Sequence, residues 1–124
     1  MAGKICVLSI AGSDSGGGAG IQSDLKTFKN HGVYGATVIT SVTAQNTKGV
    51  QGSFELPSKI IDNQLKSVFD DFNIKAVKTG MLSGPKVIDI IIKHLKRQRI
   101  KKLVVDPVIL SKNNYTMLSN SGIK

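Results

Sequence analysis

The ten residues Ala11-Gly12-Ser13-Asp14-Ser15-Gly16-Gly17-Gly18-Ala19-Gly20 decide how the rest of the chain is read. Five of the ten are glycine, and the apolar run Lys4–Ile10 stands directly before them. After them Ile21, Leu25 and Phe28 recur at i, i+4 and i+7, one face of a helix, and His31-Gly32 supplies its stop signal. A short apolar run closed by glycine has the pattern of a buried parallel strand. Strand, glycine turn and helix are thus expected to open a sheet whose ligands bind beyond the carboxyl ends of its strands. Glycine lets backbone approach a ligand closely, and this turn is expected to present N–H groups at the start of the helix. Two nucleotide-binding patterns nevertheless fail here. A G-x-G-x-x-G fingerprint begun at Gly16 meets Ile21 where its last glycine belongs, and a Walker A loop begun at Gly12 places Gly18 and Ala19 where Lys and Ser/Thr belong.

The same alternation continues along the chain. Ala36–Val42, rich in β-branched residues, predicts a second strand, and Val50–Leu56 a short strand at the sheet margin. Pro57-Ser58 opens a helix with Ile61, Leu65, Val68, Phe69 and Phe72 on one face. Ala76–Lys78 predicts a very short strand ending in Thr79-Gly80-Met81. Pro85 opens a third helix, with Ile88, Ile91, Ile92 and Leu95 inward and Lys86, Lys93, Lys96 and Arg97 outward. Leu103-Val104-Val105 predicts another buried strand with Asp106 at its carboxyl end, and Ser119-Asn120-Ser121-Gly122 reads as the entry to a further helix. This βα alternation argues an α/β fold, a parallel sheet with helices on both faces, and no linker divides it.

Composition excludes several classes. The chain has 124 residues, 40% hydrophobic and 20% charged, which fits one domain and excludes a disordered tail. No apolar run reaches the ~20 residues that span a bilayer, and the apolar start is too short for a signal peptide. Cys6 has no second cysteine to pair with, which fits a reducing, cytoplasmic location. The net charge of +9 attracts anions, but seven of the 17 cations fall between Lys86 and Lys102, on what spacing reads as a solvated helix face. With 5% aromatics and no Trp there is no set of stacking rings for single-stranded nucleic acid.

Candidate ligand groups gather at four predicted strand ends. Beside the glycines, Asp24 is expected in the first turn of the first helix, either complementing the helix dipole or accepting a hydrogen bond from a ligand hydroxyl or amine. Gln45, in Thr43-Ala44-Gln45-Asn46-Thr47 after the second strand, carries an amide that donates one hydrogen bond and accepts another, as a heterocycle with a ring nitrogen and an exocyclic amine requires. Met81 can wall an aromatic ring with its thioether, or be plain core. Asp106 can assist Mg²⁺ and phosphate, or serve as a turn residue. His31 is placed at a helix C-terminus, His94 lies on the charged helix, and no Cys/His cluster suggests zinc.

Ala11–Phe28, Thr43–Thr47, Lys78–Leu82 and Val104–Val108, taken in order, resemble the signature segments of the hydroxymethylpyrimidine/phosphomethylpyrimidine kinases of thiamine synthesis, within the ribokinase-like superfamily. The likeness runs from about Lys4 to Leu118, and Ser23, where alanine is usual, departs from it. The resemblance implies a three-layer αβα fold, truncated here after four or five strands, and substrate binding by Gly12, Asp24, Gln45, Met81 and Val108. It implies Asp106 near magnesium and phosphates, ATP and Mg²⁺ as cofactors, and an aminopyrimidine as substrate. It also implies that residues 1–124 are the N-terminal, substrate-binding part of one kinase domain. The family's Gly-Thr-Gly-Cys anion hole and catalytic cysteine would then lie beyond Lys124, so no catalytic residue is expected in this chain and the isolated piece should be inactive. Cys6, in the first strand, is expected to be a buried structural thiol. An exposed sheet edge in such a piece would favour a homodimer. Two other readings stay open: a pyridoxine or pyridoxal kinase of the same superfamily, and a non-catalytic remnant or anion- and nucleic-acid-binding module.

Overall fold

The central strand of the sheet is β1 (Cys6–Asp14), in a computed structural model that describes residues 3–111 and 113–123. It is followed by α1 (Gly20–Asn30), β2 (Tyr34–Asn46), β3 (Gly49–Glu55), α2 (Ser58–Asp71) and β4 (Ile74–Thr79). Then come α3 (Pro85–Arg97), β5 (Leu103–Val105) and a last turn of helix, α4 (Asn120–Ile123). The spatial strand order is β3-β2-β1-β4-β5. β2, β1, β4 and β5 run parallel, and β3 folds back antiparallel on β2 as the marginal strand. Chain order therefore reverses direction at β1, which is where a crevice opens in sheets of this kind.

The two faces of the sheet are covered by different helices. Cys6, Leu8 and Ile10 of β1, Ala36 and Val38 of β2 and Val77 of β4 meet Ile61 and Leu65 of α2 and Val87, Ile91 and Leu95 of α3. Leu8, Ile10, Ile61 and Leu65 are fully buried. Each contributes roughly 1.5–3 kcal/mol by leaving water. On the opposite face Ser9 meets Asp24 of α1. A Cβ at Gly35 would fall 2.7 Å from Leu25 and 2.8 Å from Phe28, so α1 lies close against β2. α1 ends as its sequence dictates. His31 Nδ1 lies 2.9 Å from the Thr27 carbonyl oxygen, and Gly32 turns the chain away at φ +72°.

Three expectations are corrected. β1 and β2 run further than their apolar segments, because the chains stay paired through Ser13 with Val42 and Asp14 with Thr43, and the antiparallel β3 then carries β2 on to Asn46. Gln45 thus sits in a strand, opposite Val50, and not in a loop after it. β5 is not buried: Val104 is 64% exposed, since β5 forms the margin of the sheet and pairs with β4 alone. In α3 the inward set is Val87, Ile91, His94 and Leu95, while Ile92 faces out. The expected helix after Ser119 is present as α4.

Candidate active site

The glycine turn is a closed unit whose amides are already used. The Asp14 carboxylate accepts hydrogen bonds from the backbone N–H groups of Gly16 at 2.7 Å, Gly18 at 2.9 Å and Ala19 at 2.8 Å. This corrects the expectation of amides free for a ligand: the chain supplies its own anion at the start of α1, where partial positive charge favours one. Gln22 fastens the turn from within the helix, accepting from the Asp14 N–H at 2.8 Å and donating to Ser13 Oγ at 2.7 Å. The Lys26 ammonium donates to the Gly17 carbonyl. One glycine is required by the packing: Gly20 has φ +58°, and a Cβ there would lie 2.3 Å from the Gly12 carbonyl oxygen. A Cβ at Gly12 would meet only the movable Cε end of Met81, at 2.4 Å.

A cavity of about 520 Å³ opens beyond the carboxyl ends of β1, β2, β4 and β5. Gly12, Asp24, Gln45, Met81, Asp106 and Val108 all line it, so residues up to 96 positions apart in the chain share one cavity. Met81 is buried, and its carbonyl accepts from the Thr40 hydroxyl at 2.6 Å, which ties the β4 end to β2. The Gln45 backbone is fastened to the glycine turn. Ser15 Oγ accepts from the Gln45 N–H at 2.8 Å and donates to the Gln45 carbonyl at 2.6 Å. The Thr43 hydroxyl has one proton to give and lies 2.8 Å from the Ser13 carbonyl oxygen and 3.1 Å from the Gln45 Oε1, while the Gln45 NH₂ has no partner among the described residues.

Asp24 does not sit in the first turn. α1 starts at Gly20, no acidic residue occupies its first turn, and the dipole reading of Asp24 falls away. Its carboxylate instead accepts from Ser9 Oγ at 2.6 Å and from the Lys78 ammonium at 3.0 Å and 2.9 Å. Sequence reading passed over Lys78 except as part of a motif. The sequence offered little signal, because β4 carries a second lysine, Lys75, that is simply exposed.

Residues 109–111 and 113–117 make the outer wall, with Leu110, Ser111, Asn113 and Met117 lining the cavity. Leu110 bridges Thr116, the Met117 N–H donates to the Ile109 carbonyl at 2.7 Å, and Asn114 turns the tip at φ +60°. At that tip the Asn113 amide bonds both backbone groups of Val50, accepting at 3.3 Å and donating at 3.2 Å, and so stands in for a neighbouring strand. Gly49 makes room for it: a Cβ there would meet the Asn113 side chain at 2.5 Å. No sequence signal marked Asn113, because nothing local distinguishes a latch from a turn residue.

Asp106 is exposed, and its N–H donates to the Thr79 carbonyl at 2.9 Å, which aims the chain across the cavity. No group of three His, Cys, Asp or Glu side chains able to hold a metal occurs among the described residues. Cys6 is buried and free, in the core and away from the cavity. No helix among the described residues is long and apolar enough to cross a membrane.

Fold and cavity together define an α/β protein with a small-molecule crevice at the switch point of a mostly parallel sheet. The phosphomethylpyrimidine kinase family matches residues 14–124, and the chain belongs to that family. A hydroxymethylpyrimidine/phosphomethylpyrimidine kinase of Rhizobium meliloti is 52% identical over 116 residues, 94% of this chain and 43% of that protein. The crystal structure of the phosphomethylpyrimidine kinase of Clostridium difficile 630 matches with a TM-score of 0.87 and 54% identity, over 96% of this chain and 52% of that one. A pyridoxal kinase of Staphylococcus aureus, solved with AMP-PCP and pyridoxal, matches with a TM-score of 0.78 and 33% identity, over 86% of this chain and 40% of that one. The chain thus spans about half the length, or less, of these relatives.

Proposed function

We propose that the chain forms the pyrimidine-binding part of a kinase that phosphorylates 4-amino-5-hydroxymethyl-2-methylpyrimidine and then its monophosphate, with ATP as donor. The observation that carries this reading is the meeting of Gly12, Asp24, Gln45, Met81 and Val108 around one cavity in a chain of this family. In it, Met81 packs on the ring while Gln45 pairs with its edge. Asp24 takes a hydrogen bond from the ligand, and the bare backbone at Gly12 lets the ring lie flat. Asp106 stands at the mouth, where a carboxylate would help orient magnesium and phosphate when those are bound. Phosphoryl transfer rests on positioning and charge neutralisation. Residues 1–124 contain no Gly-Thr-Gly-Cys turn, so the groups that would cradle the migrating phosphoryl are not supplied by this chain.

Titration calorimetry of the 124-residue chain with the aminopyrimidine and with pyridoxal tests the reading. The pyrimidine is expected to bind at least tenfold more tightly, and Gln45→Ala to weaken it by about tenfold, the cost of roughly one buried hydrogen bond. Tighter binding of pyridoxal would overturn the substrate and favour the related vitamin kinases, whose solved structures include the pyridoxal kinase above. ATP-dependent phosphorylation by the 124-residue chain alone is expected to be undetectable. Turnover by protein shown by mass spectrometry to end at Lys124 would overturn that division of labour.

A further inference from the structure

Asp24 and Lys78 form a pair at the cavity wall that is bonded more fully on one side than on the other. Asp24 comes from α1 and Lys78 from β4, two elements on opposite sides of β1, and both line the cavity. A carboxylate offers about four acceptor positions. Ser9, itself fully buried on β1, takes one on Oδ2, and Lys78 takes one on each oxygen. One acceptor position is left, and it is on Oδ1. An ammonium has three donors. Two are spent on Asp24, and one is left. The side chains of Lys78 and Asp24 keep 23% and 16% of their exposure, so the unspent positions have access to the cavity. Gly80 leaves room beside the pair: a Cβ there would lie 3.2 Å from the Lys78 Nζ and 3.0 Å from the Ala11 Cβ.

We infer that Lys78 is a specificity-determining residue: with Asp24 held by Ser9, it presents one donor beside one acceptor and so selects a ligand group that both donates and accepts, a hydroxyl. The smallest group meeting that demand is an alcohol O–H, donating to Asp24 Oδ1 while its oxygen accepts from the Lys78 Nζ. An amine in its place would leave the ammonium facing a group with little to accept from it. A methyl would leave both partners without their bonds, and a site built to bond a hydroxyl rejects the analogue lacking it much more strongly than an apolar pocket would. Ser9 acts as a positioning residue, since it fixes the Asp24 rotamer without reaching the ligand. The inference rests on the pyrimidine reading above and adds to it the residue that reads the hydroxymethyl group in the first of the two steps; the ester oxygen of the monophosphate has no proton to give Asp24, so the pair selects the first substrate and not the second.

The test compares two ligands on three proteins by calorimetry: 4-amino-5-hydroxymethyl-2-methylpyrimidine and 4-amino-2,5-dimethylpyrimidine, which differ by the one oxygen. The unaltered chain is expected to prefer the hydroxymethyl compound by tenfold or more. In Lys78→Met that ratio should fall to within about twofold, with the dimethyl compound bound as before, a split that a merely structural role would not produce. Should Lys78→Met fail to fold, Lys78→Arg decides. Its planar fork engages both oxygens of Asp24 and leaves no donor aimed at the same hydroxyl, so it is expected to fold and still lose most of the ratio. A full ratio in either folded variant overturns the inference. If the unaltered chain binds neither compound, the pyrimidine reading fails and takes this one with it. If it binds both equally, only the role of Lys78 fails.

Discussion

The two walls of the cavity are built on opposite plans. The inner wall, the glycine turn between β1 and α1, is saturated from within: Asp14 fills three amides, Gln22 and Lys26 fasten the flanks, and Gly20 lies against the Gly12 carbonyl. The outer wall, residues 109–111 and 113–117, follows the exposed strand β5 and is tied to the far margin of the sheet through the Asn113 amide on Val50 and the Tyr115 hydroxyl, 3.2 Å from Ser53 Oγ. Redundant local bonds make the inner wall rigid, and few, long-range bonds make the outer wall cheap to open. A crevice that must admit a ligand gains by moving one wall and holding the other. The difference also explains why glycine is concentrated on the inner wall: close backbone packing, not a bound phosphate, is what these glycines permit.

The largest expected effect breaks the inner wall. Gly20→Ala sets a Cβ against backbone at a positive φ, and the turn cannot close without moving β1. A loss of about 4 kcal/mol or more is expected, read as the absence of a cooperative thermal transition. Asp14→Ala removes the acceptor of three N–H groups but leaves them water on their exposed side, so roughly 3 kcal/mol is expected by urea unfolding. A loss under about 1 kcal/mol would mean that the glycines hold the turn without the carboxylate.

Asn113→Ala probes the outer wall and should cost only about 1 kcal/mol overall. Its signature is local, with amide exchange at Val50 quickened and the ligand's dissociation rate raised, while the inner wall stays protected. Equal loss of protection in both walls would refute the contrast. A control far from both walls lies between α2 and α3. There the His94 Nε2 sits 2.6 Å from Asp62, Lys66 lies 2.7 Å from its other oxygen, and Phe69 stacks on the imidazole. The His94 bond first, then Lys66, holds the Asp62 carboxyl at about 2, below its ordinary 3.8. A depressed carboxyl stabilises the fold above its unfolded value, so this share is complete above pH 4 and is lost as pH falls toward 2. Asp62→Asn should flatten the acid limb of the stability profile between pH 4 and 2, a small effect at so exposed a group, and leave the cavity's ligand affinity at pH 7 unchanged.

Much of the fold was legible before any coordinates. Strand-like runs of three to seven residues, glycine after the first, and proline opening two helices marked the strands and helices of the described residues, because each rests on short-range pattern. Ends were legible less well. β2 outruns its apolar stretch since pairing with β3, not side-chain polarity, keeps it extended to Asn46. His94 reads as one more polar residue on a charged helix, yet it is buried, because its partner Asp62 is on another helix.

The sequence by itself determined the βα alternation, the family, and the placing of Gly12, Gln45, Met81, Asp106 and Val108 at or just beyond strand ends, where one crevice gathers them with Asp24 of α1. Only the tertiary structure decided what those groups have left to offer. Asp14 had already taken the glycine amides, Ser9 and Lys78 had taken most of Asp24, and Asn113 had become a strand's neighbour. The reason is physical: periodicity fixes which face a side chain points from, but hydrogen-bond capacity is spent on whatever the other layers bring within about 3 Å.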